Sequence, residues 1–443
     1  MIFRRKIYDE LLKWKQEDDG KTAILIKGAR RVGKSTIAEE FARNEYETYM
    51  LIDFAECSDE VRNLFNDVSN LDFIFLRLQM IYGTELKVRK STIIFDEVQQ
   101  APKARQAIKY LVKDHRYDYM ETGSLISIRK NIKDIVIPSE EVEVEMYPMD
   151  YEEFKWALGD TVSVPLLAKC FEGKKSLGDA ANRSLMRDFR LYMLVGGMPQ
   201  SVATYLETNN MAKVDRVKRA IISLYEKDFN WIDPTGNASK LFHQIPAELN
   251  RNASRYLTWS ATDGARANSL AETISEMKES MVISMAHHAN DPNAGMALHQ
   301  DTGRYKMFVG DTGLFVTLAF WDKKFTENVI YEKLLSDKLS ADLGYVYENM
   351  VAQMLKATGH ELYYYTFPTE SGKHNYEVDF LIADGDKVCP IEVKSSGYKT
   401  HASLDAFCRR FSQRIKHKYL VYTKDLRKDS DVLYLPVYMT MFL

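Results

Sequence analysis

The chain has 443 residues, with 60 Lys or Arg against 63 Asp or Glu and a net charge of −3. At roughly 100 to 200 residues per domain, that length predicts two to four domains and excludes a single small module. The 45% apolar and 12% aromatic content excludes a largely disordered chain, and the near-neutral balance gives no overall field for steering towards nucleic acid or an anionic membrane.

The four cysteines, Cys57, Cys170, Cys389 and Cys408, lie far apart. They lack the paired spacing of a zinc module and give no disulfide framework, so they read as reduced thiols of a cytosolic protein. The first fifteen residues mix both charges, and nowhere does an apolar run approach the ~18 residues of a membrane span. A soluble, cytoplasmic protein without a membrane partner is the expectation.

In chain order, residues 22–27 form an apolar run that predicts a buried strand. Gly28-Ala-Arg-Arg-Val-Gly33-Lys34-Ser35-Thr36 follows at once, ahead of a helix-favouring segment at 37–43. Further strands are predicted at 46–54, 92–95 and 117–122, with helical patterns at 72–82 and 104–113 between them. Strands alternating with helices imply a parallel α/β sheet. The alternation Val142, Glu143, Val144, Glu145 adds a strand with one wet face, closed by Pro148. From Tyr151 to about residue 340 the pattern is mainly helical, with turn clusters at 233–236 and 290–295. A second α/β pattern then begins, with a helix at 345–358 and strands at 361–367, 376–382, 388–394 and 418–422. The expected organisation is three parts, 1–150, 151–340 and 341–443.

Gly28-x-x-x-x-Gly33-Lys34-Ser35 is a complete Walker A pattern between a strand and a helix. Its glycines let successive backbone N–H groups turn inward, and the helix that follows adds its positive end. The loop, Gly28, Ala29, Arg30, Arg31, Val32 and Gly33, is thus expected to cradle phosphates. Lys34 would reach the β- and γ-phosphates and Ser35 would ligate Mg²⁺, with Thr36 beside it as the lesser candidate. The strand at 92–95 runs into Asp96 and Glu97: Asp96 is expected in the Mg²⁺ shell and Glu97 to polarise the attacking water. Thr122 or Ser124, ending the next strand, is the candidate sensor of the γ-phosphate. If copies of the chain associate, or its domains act on one another, an arginine should also reach that phosphate, and Arg129 and Arg190 are candidates by position.

Near the C-terminus, Glu377 and Asp379 project from one face of a strand, and Glu392 and Lys394 share a face of the next. A hairpin through residues 383–386 would bring Asp379, Glu392 and Lys394 together in the D-x(n)-E-x-K layout of Mg²⁺-dependent phosphodiester cleavage. The two carboxylates would hold the metal and Lys394 would position water, with Glu348 as a further carboxylate ligand. The alternative is a polar hairpin face with an internal Glu–Lys pair. His287 and His288 have no partner at ligand spacing and are read as exposed or capping histidines.

With these motifs, and with Glu-Thr-Gly-Ser at 121–124, Tyr-Pro-Met-Asp-Tyr-Glu-Glu-Phe at 147–154, Gly-Gly-Met-Pro at 196–199 and Asp-Thr-Gly-Leu at 311–314, the chain resembles, essentially end to end, the bacterial and archaeal AAA-type P-loop ATPases that carry a C-terminal PD-(D/E)XK restriction-endonuclease-like domain. The resemblance implies an ASCE-type P-loop core, a helical or winged-helix middle, a C-terminal nuclease-like α/β domain, and ATP as the nucleotide. One departure is that Glu377-Val stands where the nuclease motif has a proline. The expected function is Mg²⁺-dependent ATP hydrolysis that governs a module binding or cleaving DNA; the alternative is an ATP-dependent signalling or scaffold switch with a non-catalytic C-terminal module. Residues 401–443 carry eight Lys or Arg against four Asp or Glu. Within that segment Arg409, Arg410, Arg414, Lys416, Lys418, Arg427 and Lys428 supply a candidate phosphate-binding patch.

Overall fold

A computed structural model describes residues 1–123, 139–251, 255–258, 270–322, 335, 344–396 and 399–443. The chain divides into two compact units, Met1–Tyr147 with Glu279–Met281, and Pro148–Lys278 with Val282–Leu443.

In the first unit the apolar runs become β1 (Ala23–Lys27), β2 (Thr48–Asp53), β3 (Ser91–Asp96) and β4 (Asp118–Gly123), and the alternating segment becomes β5 (Glu141–Glu145). All pair in parallel, in the order β2-β3-β4-β1-β5. Strands β3 and β4 are buried along their whole length, which is why the centre of β3, Ile93 to Phe95, reads as a continuous apolar run rather than an alternating one. Helices α1 (Ile7–Asp18), α2 (Lys34–Glu45), α3 (Asp59–Leu64), α4 (Leu71–Tyr82) and α5 (Pro102–Asp114) belong to the same unit. Because β4 lies between β1 and β3, with Met120 opposite both Ile24 and Ile94, the C-terminal ends of three strands stand side by side. In a parallel α/β sheet those ends are where ligands bind.

The second unit contains α6 (Tyr151–Ala157), α7 (Ser163–Glu172), α8 (Asp179–Val195), α9 (Pro199–Thr208), α10 (Met211–Ile232), α11 (Asn237–Asn250) and α12 (Ala271–Glu279, its last residue counted with the first unit). Strands β6 (Ile283–Ala289) and β7 (Gln300–Val309) follow, then α13 (Thr312–Ala319) and α14 (Gly344–Ala357). The remaining elements are β8 (Leu362–Pro368), β9 (Asn375–Asp384), β10 (Lys387–Val393), α15 (Ala402–Arg410), β11 (Lys418–Tyr422), β12 (Arg427–Asp429) and β13 (Val432–Pro436). Among the described residues these strands form one mixed sheet in the order β12-β13-β11-β10-β9-β8-β6-β7. Two strands of the segment expected to be helical therefore belong to the C-terminal sheet. The His287 and His288 reading also changes. His288 is buried in β6, its Nε2 3.2 Å from the Thr366 backbone N–H, with burial holding its pKa below the usual histidine value.

The glycine motifs explain themselves as packing. A Cβ at Gly197 would lie 2.1 Å from the Met149 carbonyl, and one at Gly313 would lie 2.5 Å from the Gly196 Cα. The buried Asp311 carboxylate accepts from the Gly197 N–H at 2.6 Å and from the Leu314 N–H at 2.8 Å, which caps α13. Lys218, wholly buried, donates to the carbonyls of Leu194 at 2.6 Å and Gly313 at 3.1 Å. Burial pushes its pKa down to about 8, with Asp215 and Asp311 opposing the shift. Between that value and the ~10.4 of a free lysine, the unfolded chain holds a proton that the folded chain has released, so stability from this position rises with pH. Urea midpoints of wild type and Lys218→Met should therefore shift relative to one another, in favour of wild type, from pH 8 to pH 10. A pH-independent difference would reject this.

Candidate nucleotide site and the buried carboxylate cluster

The loop between β1 and α2 lies across the ends of β1, β3 and β4. Gly28 has no room for a side chain, since a Cβ there would sit 2.3 Å from the Met146 carbonyl. Arg31 (φ 71°) and Gly33 (φ 102°) both take left-handed backbone, so the chain curls around Val32 before entering α2 at Lys34. Ala29 and Val32 are buried, whereas Arg30, Arg31 and Thr36 are exposed. The Lys34 ammonium is buried and donates to the carbonyls of Gly28 and Ala29, each at 3.0 Å.

At the end of β3, Asp96 Oδ1 accepts from the Ser35 hydroxyl at 2.7 Å and also from the Thr122 hydroxyl at the end of β4. Thr122 in turn accepts the Glu97 backbone N–H at 3.4 Å, and the Gln99 amide donates to the Glu97 carboxylate. Glu97 itself has φ 51°, a left-handed conformation rare for a residue with a side chain and concentrated at functional positions. Ser35, Asp96, Glu97 and Thr122 thus meet around the N-terminus of α2. A hydroxyl and a carboxylate at the mouth of an anion-binding helix end are the donor set that suits Mg²⁺ carried by a polyphosphate. Ser124 and Arg129 lie outside the described residues. Arg190 donates from Nε to the Tyr347 hydroxyl at 3.1 Å within the second unit.

The C-terminal carboxylates are brought together, but around a lysine that the motif does not contain. Lys306 of β7 donates to Glu348 of α14 at 2.8 Å and to Glu377 of β9 at 2.6 Å. The sheet curls enough for β7 and β9 to meet, with the Phe308 and Phe380 rings 5.6 Å apart. Burial alone would lower the Lys306 pKa; the charges of Glu348, Glu377 and Asp379 outweigh it and hold the ammonium above the ordinary lysine value. Burial, then the Glu348 charge, pushes the Asp379 carboxyl well up. One Asp379 oxygen accepts the Val393 N–H at 2.7 Å, one Glu392 oxygen accepts the Leu404 N–H at 3.1 Å, and the other Glu392 oxygen pairs with Lys394 at 2.8 Å. Glu348, Asp379 and Lys394 line a cavity of about 280 Å³ with Tyr345 and Ser395. Among the described residues no group of three or more His, Cys, Asp or Glu side chains is placed to hold a metal ion. Glu348 and Asp379, two of the metal ligands expected from sequence, lie beside the chain's own Lys306, a cation that expectation did not include. The sequence signal for it was a charge inside the apolar run Tyr305 to Val309.

Three residues of the basic segment are paired with acids. Arg414 pairs with Asp291, Lys416 with Asp384 at 2.7 Å and Lys418 with Asp431, while Arg427 stacks on Tyr434 at 4.1 Å. Lys428 is exposed and lines a cavity of about 310 Å³ with Lys174, Lys416, His417 and Lys418.

Residues 20–155 match the family model of an AAA domain, the segment that carries the loop, Asp96, Glu97 and Thr122. This segment is therefore similar to an AAA domain and carries the phosphate loop. Beyond the AAA domain, residues 186–324 and 343–439 match models of two domains of unknown function, DUF8612 and DUF4143. No curated protein matches the chain. Among solved structures, a Walker-type ATPase of Pyrococcus abyssi is 16% identical, with 72% of this chain and 96% of that one covered and a TM-score of 0.44. Cdc6p of Pyrobaculum aerophilum is 10% identical, with 75% and 95% covered and a TM-score of 0.24. Among the described residues no helix is long and apolar enough to cross a membrane.

Proposed function

We propose that the AAA domain binds ATP and hydrolyses it with Mg²⁺, and that the second unit is a partner-binding module whose behaviour follows the nucleotide state. The observation that carries the first part is the Asp96 carboxylate, which ties Ser35 of the phosphate loop to Thr122 of the neighbouring strand beside Glu97. Bound Mg²⁺ would neutralise phosphate charge, and Ser35 and Asp96 are the residues that would hold it. Glu97 would accept a proton from the attacking water, Lys34 would bind the phosphates, and Thr122 would report the γ-phosphate to Asp96 and Glu97.

The second part is favoured over DNA cleavage by Lys306, whose ammonium supplies within the fold the positive charge that a cleavage centre takes from a metal. DNA contact through Lys174 and Lys428 is compatible with this reading; cleavage by Asp379, Glu392 and Lys394 is the reading it is set against.

One paired assay tests both parts. Purified protein should hydrolyse ATP only with Mg²⁺, and Glu97→Gln should lower the rate about 10²- to 10⁴-fold while ATP still binds. The same preparation should leave supercoiled plasmid intact in Mg²⁺ or Mn²⁺. Absence of nucleotide binding would sink the first part, and nicking that disappears in Asp379→Ala would sink the second.

A further inference from the structure

Arg5, at the entry to α1, lies far in sequence from every motif and is buried, with 7% of its surface exposed. Its NH1 donates to the Val32 carbonyl of the phosphate loop at 2.9 Å, and its NH2 donates to the Tyr147 carbonyl at 2.6 Å. We propose that Arg5 is the positioning residue of the phosphate loop, and that through the same guanidinium it ties the loop to the end of the Met1–Tyr147 stretch of the first unit. This rests on the nucleotide reading above and names a residue that reading does not use.

The argument is geometric. A trans peptide is planar, so its C=O and the N–H of the next residue point in opposite directions. Fixing the Val32 carbonyl on Arg5 therefore aims the Gly33 N–H away from Arg5, towards the concave side of the loop where phosphate oxygens would sit. The loop needs such an external hold because Arg31 and Gly33, on either side of Val32, both have positive φ. Val32 is fully buried, and its own side chain closes against Gly28. The second arm of the fork reaches the last residue of the first unit, immediately before Pro148, on the same segment whose Met146 N–H donates to the Lys27 carbonyl at 2.7 Å and whose Met146 carbonyl confines Gly28. A planar guanidinium holds its two carbonyls in a fixed fork, from two different nitrogens; an ammonium is a point charge on a flexible stem. Any shift of the loop on taking up phosphates is thereby felt at Tyr147.

The test uses the full chain with Arg5→Ala and Arg5→Lys. Without nucleotide, amide hydrogen exchange should quicken in peptides covering 28–36 and 144–149 in both variants, with the rest of the chain unchanged. Unchanged exchange in these two segments overturns the proposal whatever ATP does. With a fluorescent ATP analogue, Kd should rise at least about 10-fold in Arg5→Ala, and millimolar methylguanidinium should recover part of that loss. A purely structural arginine would instead lower the melting temperature and leave Kd unchanged in the folded fraction, which would also overturn it. Failure of wild type to bind the analogue would count against the nucleotide reading alone, because the exchange measurement decides the role of Arg5 by itself.

Discussion

Lys34→Ala is expected to abolish measurable ATP hydrolysis and to weaken ATP binding by about 10- to 100-fold, the loss that follows from removing a charge-assisted hydrogen bond of roughly 1.5–3 kcal/mol. The physical ground is the position of the ammonium, buried at the start of α2 and held by two loop carbonyls, so that its charge already lies within the curl of the loop. Bound phosphates would exchange two neutral acceptors for anionic ones, a gain that grows as the phosphates acquire charge in the transition state. Hydrolysis should consequently fall further than binding, by about 10² or more in rate at saturating ATP. Exposed neighbours such as Arg31 and Thr36 make no such contact, and Thr36→Ala should leave both quantities within about twofold, as surface changes commonly do. Radiolabelled ATP turnover together with equilibrium binding reads both effects. Undiminished turnover in Lys34→Ala would remove the phosphate loop from the reaction.

How far the site could be read in advance depended on whether its chemistry is local in sequence. The phosphate loop is contiguous, and its glycines, lysine and serine sit at spacings set by the backbone's own curl, so Gly28 to Ser35 were legible together with the strand and helix on either side. Asp96 and Glu97 were legible because a buried strand ending in two acids is unusual, and the insertion of β4 between β1 and β3 then gave Thr122 its place. Lys306 and Arg5 were not legible. Each acts on groups that are distant in sequence, Glu348 and Glu377 for one, Val32 and Tyr147 for the other, and no short pattern records a contact made by tertiary packing. Strand β6 was missed for a different reason. It lies between β7 and β8 with both faces covered, so Ile283, Met285, Ala286 and Ala289 are buried without the alternation that marks a half-wet strand.

The largest effect on folding is expected at Lys306. Lys306→Met keeps the length of the side chain and removes the charge, leaving Glu348 and Glu377 without their cation and Asp379 without one of its nearby positive charges. Breaking a buried ion pair from one side commonly costs about 3–5 kcal/mol. The cost should depend on pH, with a sign that follows from the carboxylates. Without Lys306 the Glu377 and Asp379 carboxyls, which burial already holds above the ordinary carboxylate range, rise further above their values in the unfolded chain. Protons then bind more tightly to the folded form, and the penalty grows as pH rises through and beyond the ordinary carboxylate range. Wild type and Lys306→Met should accordingly differ most near pH 8 and least near pH 5. Adding Glu377→Gln to Lys306→Met should recover part of the loss, because it removes one of the stranded charges. Urea denaturation followed by tryptophan fluorescence is suited to this, since among the described residues Trp156, Trp231 and Trp321 belong to the second unit and Trp14 to the first. A Lys306→Met protein within about 1 kcal/mol of wild type at pH 8 would mean that the carboxylates are already neutral in the native state. In that case the ammonium would not be the cation that holds them together, and the ground for preferring a partner-binding module over a metal site there would fall with it.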